Sequence, residues 1–368
     1  MGGVDAGGAV KAVGAEGQEA AVGLAGVGTG GDDNPSGAGC PGGADGFAGA
    51  DDRMTGLVVS LDRGFPLVAT ATGEFRAQHG IELVKKVALR AAVGDVVDLE
   101  WPAGQDIPLI RAIHPRGHTL VRRSLVESRH EGAGKHDEQV LAANIDIVFV
   151  VSALSNRPLD TAYLERQLVM AHESGAEVAI VLTKADLGKH RDEDVAHACE
   201  LAFTGPVITT SATTGEGLDQ IAGLLEGGRV GVLLGRSGVG KSTLVNELLG
   251  APLLETATVR AKDRAGRHTT VARRMVFLGG SRQEPSPACS HSGALIDTPG
   301  LRSIGLYDAH AGLAAAFPDV TALAAQCRYR DCTHTGEPSC AVAAAVAEGS
   351  LSASRLASYV ALAAEVNA

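Results

Sequence analysis

The sequence predicts an α/β domain built on a largely parallel sheet, with a small β-barrel before it and a small Cys/His-rich helical domain after it. From about residue 145 onward, continuous apolar runs at 145–151 and 178–182 read as buried strands, and helical stretches alternate with them. Residues 54 to about 115 instead carry short apolar stretches split by turn residues. Further on, Cys327, Cys332 and Cys340 gather around His334, while Cys40, Cys199 and Cys289 are scattered.

Composition sets the bounds. A chain of 368 residues has room for two or three domains. With 45% hydrophobic but only 3% aromatic residues, its cores must be built from Val, Leu, Ile and Ala. A formal net charge of -11 argues against indiscriminate nucleic-acid binding and confines any such contact to a local basic face. The cysteine spacing does not suit a secreted disulfide scaffold; a metal site in a reducing compartment fits it better. Residues 1–10 have no basic leader region, and the longest apolar run, 145–154, is too short to span a bilayer. A cytoplasmic protein without membrane contact is expected, and nothing asks for more than a monomer.

The elements follow in chain order. Residues 1–51 are mostly Gly, Ala and scattered acids, so burial cannot offset their ordering entropy and a disordered tail is expected. In 52–118, Val58, Val59, Leu67, Val68, Ile81, Leu83, Val87, Leu89, Val96, Val97 and Leu99 lie in short stretches, with turns at 62–64, 72–73 and 93–95. That spacing suits a barrel of OB type, or another small barrel. Residues 119–140 are polar, with Arg122, Arg123, Arg129 and Lys135, and read as a basic linker. The α/β domain occupies 141–306, with strands at 145–151, 178–182, 206–209, 230–234, 271–278 and 294–297 and helices at 158–172, 218–225 and 241–249. The polar insertion at 279–293 has no assigned role. Residues 307–368 hold the Cys/His cluster and a helix at 351–366, with Leu356, Tyr359, Val360 and Val366 as packing positions.

Every motif sits at the carboxyl end of a strand, where open α/β sheets bind ligands. Gly235-Arg236-Ser237-Gly238-Val239-Gly240-Lys241-Ser242, followed by Thr243, fits the phosphate-loop pattern. Its glycines let backbone N–H groups face phosphate oxygens, and the helix N-terminus behind adds positive potential. Lys241 then reaches the β- and γ-phosphates, and Ser242 ligates Mg²⁺. Thr183-Lys184-Ala185-Asp186 ends the strand at 178–182. Asp186 can accept from the N1–H and exocyclic amine of guanine, whereas adenine leaves that carboxylate unsatisfied. Lys184 lays its stem along the base, and Ser211-Ala212 offers a backbone N–H to the guanine oxygen. Thr183 stands where Asn is more usual, which is expected to soften the bracing between loops. Asp297-Thr298-Pro299-Gly300 supplies a carboxylate for Mg²⁺ through water and the Gly300 N–H for the γ-phosphate. Thr269 and Thr270, in Gly266-Arg267-His268-Thr269-Thr270, offer hydroxyls to the metal.

Together these are the marks of a GTPase, in an altered order. The base-reading motif precedes the phosphate loop by about fifty residues instead of following it, and the Asp297 motif comes last. The chain is circularly permuted. Leu301 follows Gly300 where many GTPases orient water with Gln, so intrinsic hydrolysis is expected to be slow, with His268 or a partner group supplying the catalyst. The segment from Asp297 runs directly toward the Cys/His cluster, so nucleotide state is expected to reach that cluster through 301–306. Cys327, Cys332, His334 and Cys340 form a Cys₃His set suited to one structural, tetrahedral Zn²⁺.

With those motifs in view, residues 54–345 resemble the bacterial family of ribosome small-subunit-dependent GTPases. The string from Cys327 through Cys340, with the matches at the nucleotide motifs, carries the resemblance. It implies an N-terminal OB-type β-barrel, a circularly permuted α/β P-loop GTPase domain and a small C-terminal zinc-binding domain with helices. It also implies GTP hydrolysis stimulated by the 30S subunit late in its maturation, with binding to its 16S rRNA. A P-loop ATPase or kinase is the second reading, which Asp186 opposes. A non-catalytic, nucleotide-gated RNA-binding module is the third, which Leu301 keeps open.

Overall fold

The computed structural model describes residues 53–62, 65–84, 90–124, 137–203, 205–252, 254, 273–278, 293–297, 305–306 and 308–367. The expected N-terminal tail and the 279–292 part of the polar insertion lie outside the described residues.

Among the described residues, six strands come first: β1 (Arg53–Asp62), β2 (Phe65–Thr70), β3 (Gly73–Arg76), β4 (Gln78–His79), β5 (Val96–Glu100) and β6 (Leu109–Ile113), with a one-turn helix α1 (Ile81–Val84) after β4. Their pairings run in a ring. Strand β1 pairs antiparallel with β2 and with β5, β2 pairs with β3, β5 pairs with β6, and β4, one residue after β3, pairs parallel with β6. Val58, Val68, Val97, Leu99 and Ile110 fill the interior, each at 0% exposure.

Strands β7 (Thr119–Ser124) and β8 (Asp137–Ala143) pair antiparallel. The linker expectation therefore needs correction at both ends of 119–140. This ribbon has little apolar alternation to betray it, and residues 125–136 between its strands lie outside the described residues.

The α/β sheet comprises β9 (Ile147–Ala153), β10 (Glu177–Thr183), β11 (Val207–Thr209), β12 (Val230–Leu234), β13 (Arg273–Phe277) and β14 (Ala294–Asp297), in the order β11-β10-β9-β12-β14-β13. All are parallel except β13, which is antiparallel to β14 and joins the sheet to β1 at Ser60↔Arg274 and Leu61↔Arg273. The continuous apolar runs are explained by burial on both faces. Alternate side chains of β9 divide: Val148 and Val150 join Leu164 and Leu168 of α2 (Thr161–Glu173), while Phe149 and Val151 join Ile221 of α4 (Leu218–Leu224) and Leu244 of α5 (Lys241–Leu249). Burying Phe149 completely stabilises the fold by about 1.5–3 kcal/mol. Helix α3 (Arg191–Ala202) flanks β10 and β11.

The C-terminal helices are α6 (His310–Ala316), α7 (Pro318–Ala324), α8 (Ala341–Ala347) and α9 (Ala353–Val366). Phe317, Val320, Val342, Leu362 and Val366 share one core with the α2 face of the sheet. Of the expected packing positions in α9, Val366 is buried and Leu356 and Tyr359 are half-buried against that core. The sequence gives no hint that Arg355 is buried too. It donates to Glu165 at 2.6 Å, to both oxygens of Asp319 at 3.1 Å and to the Ala316 carbonyl at 2.8 Å, and lies 3.9 Å from the Phe317 ring centroid. A buried guanidinium satisfied this fully does not strand its charge, whereas losing one partner would.

Candidate nucleotide and metal sites

The phosphate loop links β12 to α5. A Cβ on Gly235 would lie 2.4 Å from the Val151 carbonyl, so only glycine lets the loop leave the sheet there. Gly240, with φ of 105°, caps α5 in a conformation that favours glycine. Lys241 donates to the carbonyls of Gly235 at 2.7 Å and Arg236 at 2.9 Å, so its ammonium stands at the loop. Ser242 and Thr243 follow on the first turn of α5. Parallel pairing of β12 and β14 sets Asp297 beside Leu233, next to the loop's root, and buries it.

The base-reading motif reaches the same edge from β10. Thr183 donates its hydroxyl to the carbonyl of Val239, and Lys184 Nζ donates to that of Gly238 at 2.8 Å. Thr at this position therefore reaches the phosphate loop directly. Lys184 sits at φ of 58°, turning the chain into the 3₁₀ segment Ala185–Leu187. Thr183→Val keeps the shape and leaves the Val239 carbonyl without its donor. It is expected to weaken nucleotide binding about 3- to 10-fold by fluorescence titration; unaltered affinity would show the brace to be idle.

Asp186 is held by the buried Ser211, whose hydroxyl donates to its Oδ1 at 2.7 Å. The Ser211 backbone N–H donates to the Glu216 carbonyl at 3.2 Å, so within the Ser211-Ala212 pair Ser211 supplies its hydroxyl. An ionised carboxylate accepts about four hydrogen bonds, so Asp186 keeps room for two more. The 211–217 turn that carries Ala212 is fastened by Arg191, which pairs with Glu216. Those hydrogen bonds from Arg191 hold the Glu216 carboxyl below its ordinary range.

His268, Thr269, Thr270, Gly300 and most of 301–306 lie outside the described residues. Two contacts to the loop went unforeseen. Asp160, just before α2, forms an ion pair with Arg236 at 3.1 Å, and Tyr163 lies under that guanidinium, 3.5 Å from ring centroid to Cζ. Asp160 carries a local signal as a helix cap, but nothing local announces a partner 76 residues away.

The second cluster is well formed. The donor atoms of Cys327, Cys332, His334 and Cys340 all lie within 4.8 Å of one another. Cys327 Sγ is 3.9 Å from Cys340 Sγ and 3.7 Å from His334 Nδ1, which is 3.4 Å from Cys340 Sγ. A disulfide needs a separation of about 2 Å. The edges of a tetrahedron with Zn–S near 2.3 Å and Zn–N near 2.0 Å are about 3.5–3.8 Å, so the set fits such an ion. Cys340 also caps α8, accepting from the Ala343 N–H at 3.4 Å. Burial depresses the His334 pKa, favouring the neutral imidazole that a metal takes. Glu337 fastens the loop between the ligands. The hydroxyl of Thr333 and the N–H groups of Thr333 and Thr335 all donate to it, holding its pKa down at about 2. The stabilisation is thus present above the ordinary carboxylate range and lost only as pH falls through about 2.

Comparison with known proteins bears on the nucleotide site. The family model for the RsgA GTPase matches residues 113–307. The chain is 42% identical over 317 residues to the small ribosomal subunit biogenesis GTPase RsgA of Streptomyces avermitilis, covering 84% of this chain and 79% of that one. It is 40% identical over 320 residues to the RsgA of Syntrophotalea carbinolica, covering 86% and 84%. Its fold is similar to that of YjeQ from Thermotoga maritima, with a TM-score of 0.61 and 25% identity over 85% of this chain and 98% of that one. It also matches YloQ, a circularly permuted GTPase, with a TM-score of 0.54 and 21% identity over 85% and 95%, a likeness of fold.

Proposed function

Because the chain belongs to the RsgA GTPase family, we propose that it hydrolyses GTP to GDP and phosphate in the biogenesis of the small ribosomal subunit, with turnover stimulated by that 30S particle. One observation carries this reading furthest. Asp186, oriented by Ser211, and the phosphate loop, braced by Thr183 and Lys184, meet at one edge of the sheet although the chain visits them in reversed order.

The loop backbone from Gly235 to Thr243 cradles the phosphates, and Lys241 exchanges loop carbonyls for β- and γ-phosphate oxygens. Ser242, Asp297 and the hydroxyls of Thr269 and Thr270 would hold Mg²⁺, which neutralises charge developing on the phosphates when bound. Gly300 senses the γ-phosphate. Asp186 selects guanine, with Lys184 along the base and Ala212 at its oxygen. His268 positions the attacking water.

The pairings among β1–β6 support an OB-type barrel: with β3 and β4 counted as one strand interrupted at Ala77, five strands remain, and the parallel pair of β4 and β6 closes them. One Zn²⁺ held by Cys327, Cys332, His334 and Cys340 would shape the C-terminal domain. Beside those ligands the surface carries Arg328, Tyr329 and Arg330, all exposed. Cations next to an aromatic face suit the backbone and unstacked bases of 16S rRNA, and confine that contact to a small part of an acidic protein. The setting is a monomer in the cytoplasm. Among the described residues, no helix is long and apolar enough to cross a membrane.

The test is GTP turnover with and without purified 30S particles. A rise of more than about tenfold is expected, well within what an outside catalytic group supplies. In His268→Ala the rise should disappear while nucleotide affinity holds. Turnover indifferent to saturating 30S would leave a nucleotide-gated RNA-binding module as the better reading.

A further inference from the structure

Helix α2 touches the phosphate loop at one end and the C-terminal helices along its length. Asp160 caps it, accepting from the Tyr163 N–H at 3.1 Å, while its other oxygen faces Arg236. Arg236 is thus fixed through its side chain by Asp160 and Tyr163, and through its carbonyl by Lys241. One turn further, Arg166 pairs with Glu365, and the buried Glu165 accepts from Arg355 and from the Ser358 hydroxyl. At the far end, Glu173 accepts from the Gly312 N–H at 2.7 Å. Glu365 also accepts from the Leu306 N–H at 3.4 Å, and the Asp308 N–H donates to the Val366 carbonyl at 2.9 Å. The last turn of α9 is therefore tied both to α2 and to the chain that follows the Asp297 motif.

We propose that Asp160 and Tyr163 are positioning residues for the phosphate loop, acting through Arg236, and that α2 is the strut through which bound guanine nucleotide and the C-terminal domain sense each other. The inference rests on the guanine-nucleotide reading above. A helix of 13 residues fastened at both ends moves as a body, so a change in the loop's position reaches α9, and the reverse. Reciprocity is a thermodynamic requirement: if nucleotide shifts the helices, contacts on the helices must shift nucleotide affinity by the same factor. The size is modest. The side chains of Arg236 and Asp160 are 54% and 55% exposed, so the ion pair is weak and the ring contact adds a comparable amount.

The test is a double-mutant cycle on the full-length chain, titrating fluorescent GDP and a non-hydrolysable GTP analogue. Asn can still cap α2, so Asp160→Asn removes only the charge. It is expected to weaken the GTP analogue about 3- to 10-fold and Glu365→Ala about 2- to 5-fold, with the double variant losing less than the product. A purely structural Glu365 would lower the melting temperature without moving nucleotide affinity. Tyr163→Leu removes the stacking without touching loop or cap, and should reproduce Asp160→Asn. Glu365→Ala binding as the parent does, or two losses that multiply, overturns the strut. A parent chain that takes up no guanine nucleotide would overturn this inference and the functional reading together, whereas silent variants in a nucleotide-binding parent overturn this inference alone.

Discussion

Asp186→Asn is expected to lower affinity for GTP by about 10²-fold while leaving the fold intact. The carboxylate can accept two hydrogen bonds from the guanine edge, and bonds to a charged group contribute about 1.5–3 kcal/mol each. An amide there still receives the Ser211 hydroxyl, which holds Oδ1 at 2.7 Å, so the side chain stays in place. What changes is the other half: an N–H₂ now faces the donors of guanine. The same N–H₂ suits xanthine, which has a carbonyl where guanine has its amine. The variant should therefore prefer xanthosine triphosphate in a competition titration. If it retains parental preference for GTP over both ATP and xanthosine triphosphate, Asp186 does not read the base. Ser211→Ala should show a weaker form of the same loss, because the carboxylate then lacks its orienting donor.

Cys340→Ser is expected to abolish the metal site and to unfold the C-terminal domain. Structural Zn²⁺ in small Cys/His domains contributes on the order of 10 kcal/mol, and three good ligands do not close a tetrahedron. Cys340 is buried and caps α8 as well, and Ser can keep that cap, so the variant isolates the loss of the ion. The effect should spread, because the C-terminal helices share one core with the α2 face of the sheet. A loss of several kcal/mol corresponds to a fall in melting temperature of roughly 10 °C or more for a protein of this size. Elemental analysis should give one zinc per parent chain and less than one in the variant, and chelation of the parent should reproduce the melting shift. A variant that keeps a full equivalent of metal, or that melts with the parent, would show the four residues to be packing groups.

Much of the nucleotide site was legible because its parts are local. A phosphate loop is eight consecutive residues between a buried strand and a helix, and Gly235 must be glycine whatever the rest of the chain does. The strands of the α/β sheet were legible because burial on both faces leaves an unbroken apolar run, as at 147–151. The β7–β8 ribbon was not legible, since it carries no such run, and neither was the buried Arg355, whose type argues for the surface. The hydrogen bond from Thr183 to the loop was not legible either, since it depends on the approach of the Val239 carbonyl from a distant part of the chain.

The sequence by itself determined which chemical groups the protein carries and the order in which the chain meets them, because each motif is defined by neighbours along the backbone. The tertiary structure decided what those groups do to one another. Arg236 meets Asp160 from another helix, Ser211 aims Asp186 from the next strand, and Arg355 meets Glu165 across 190 residues. Such pairs leave no periodic or local trace, since their energies depend on distance and burial, which exist only once the chain has folded.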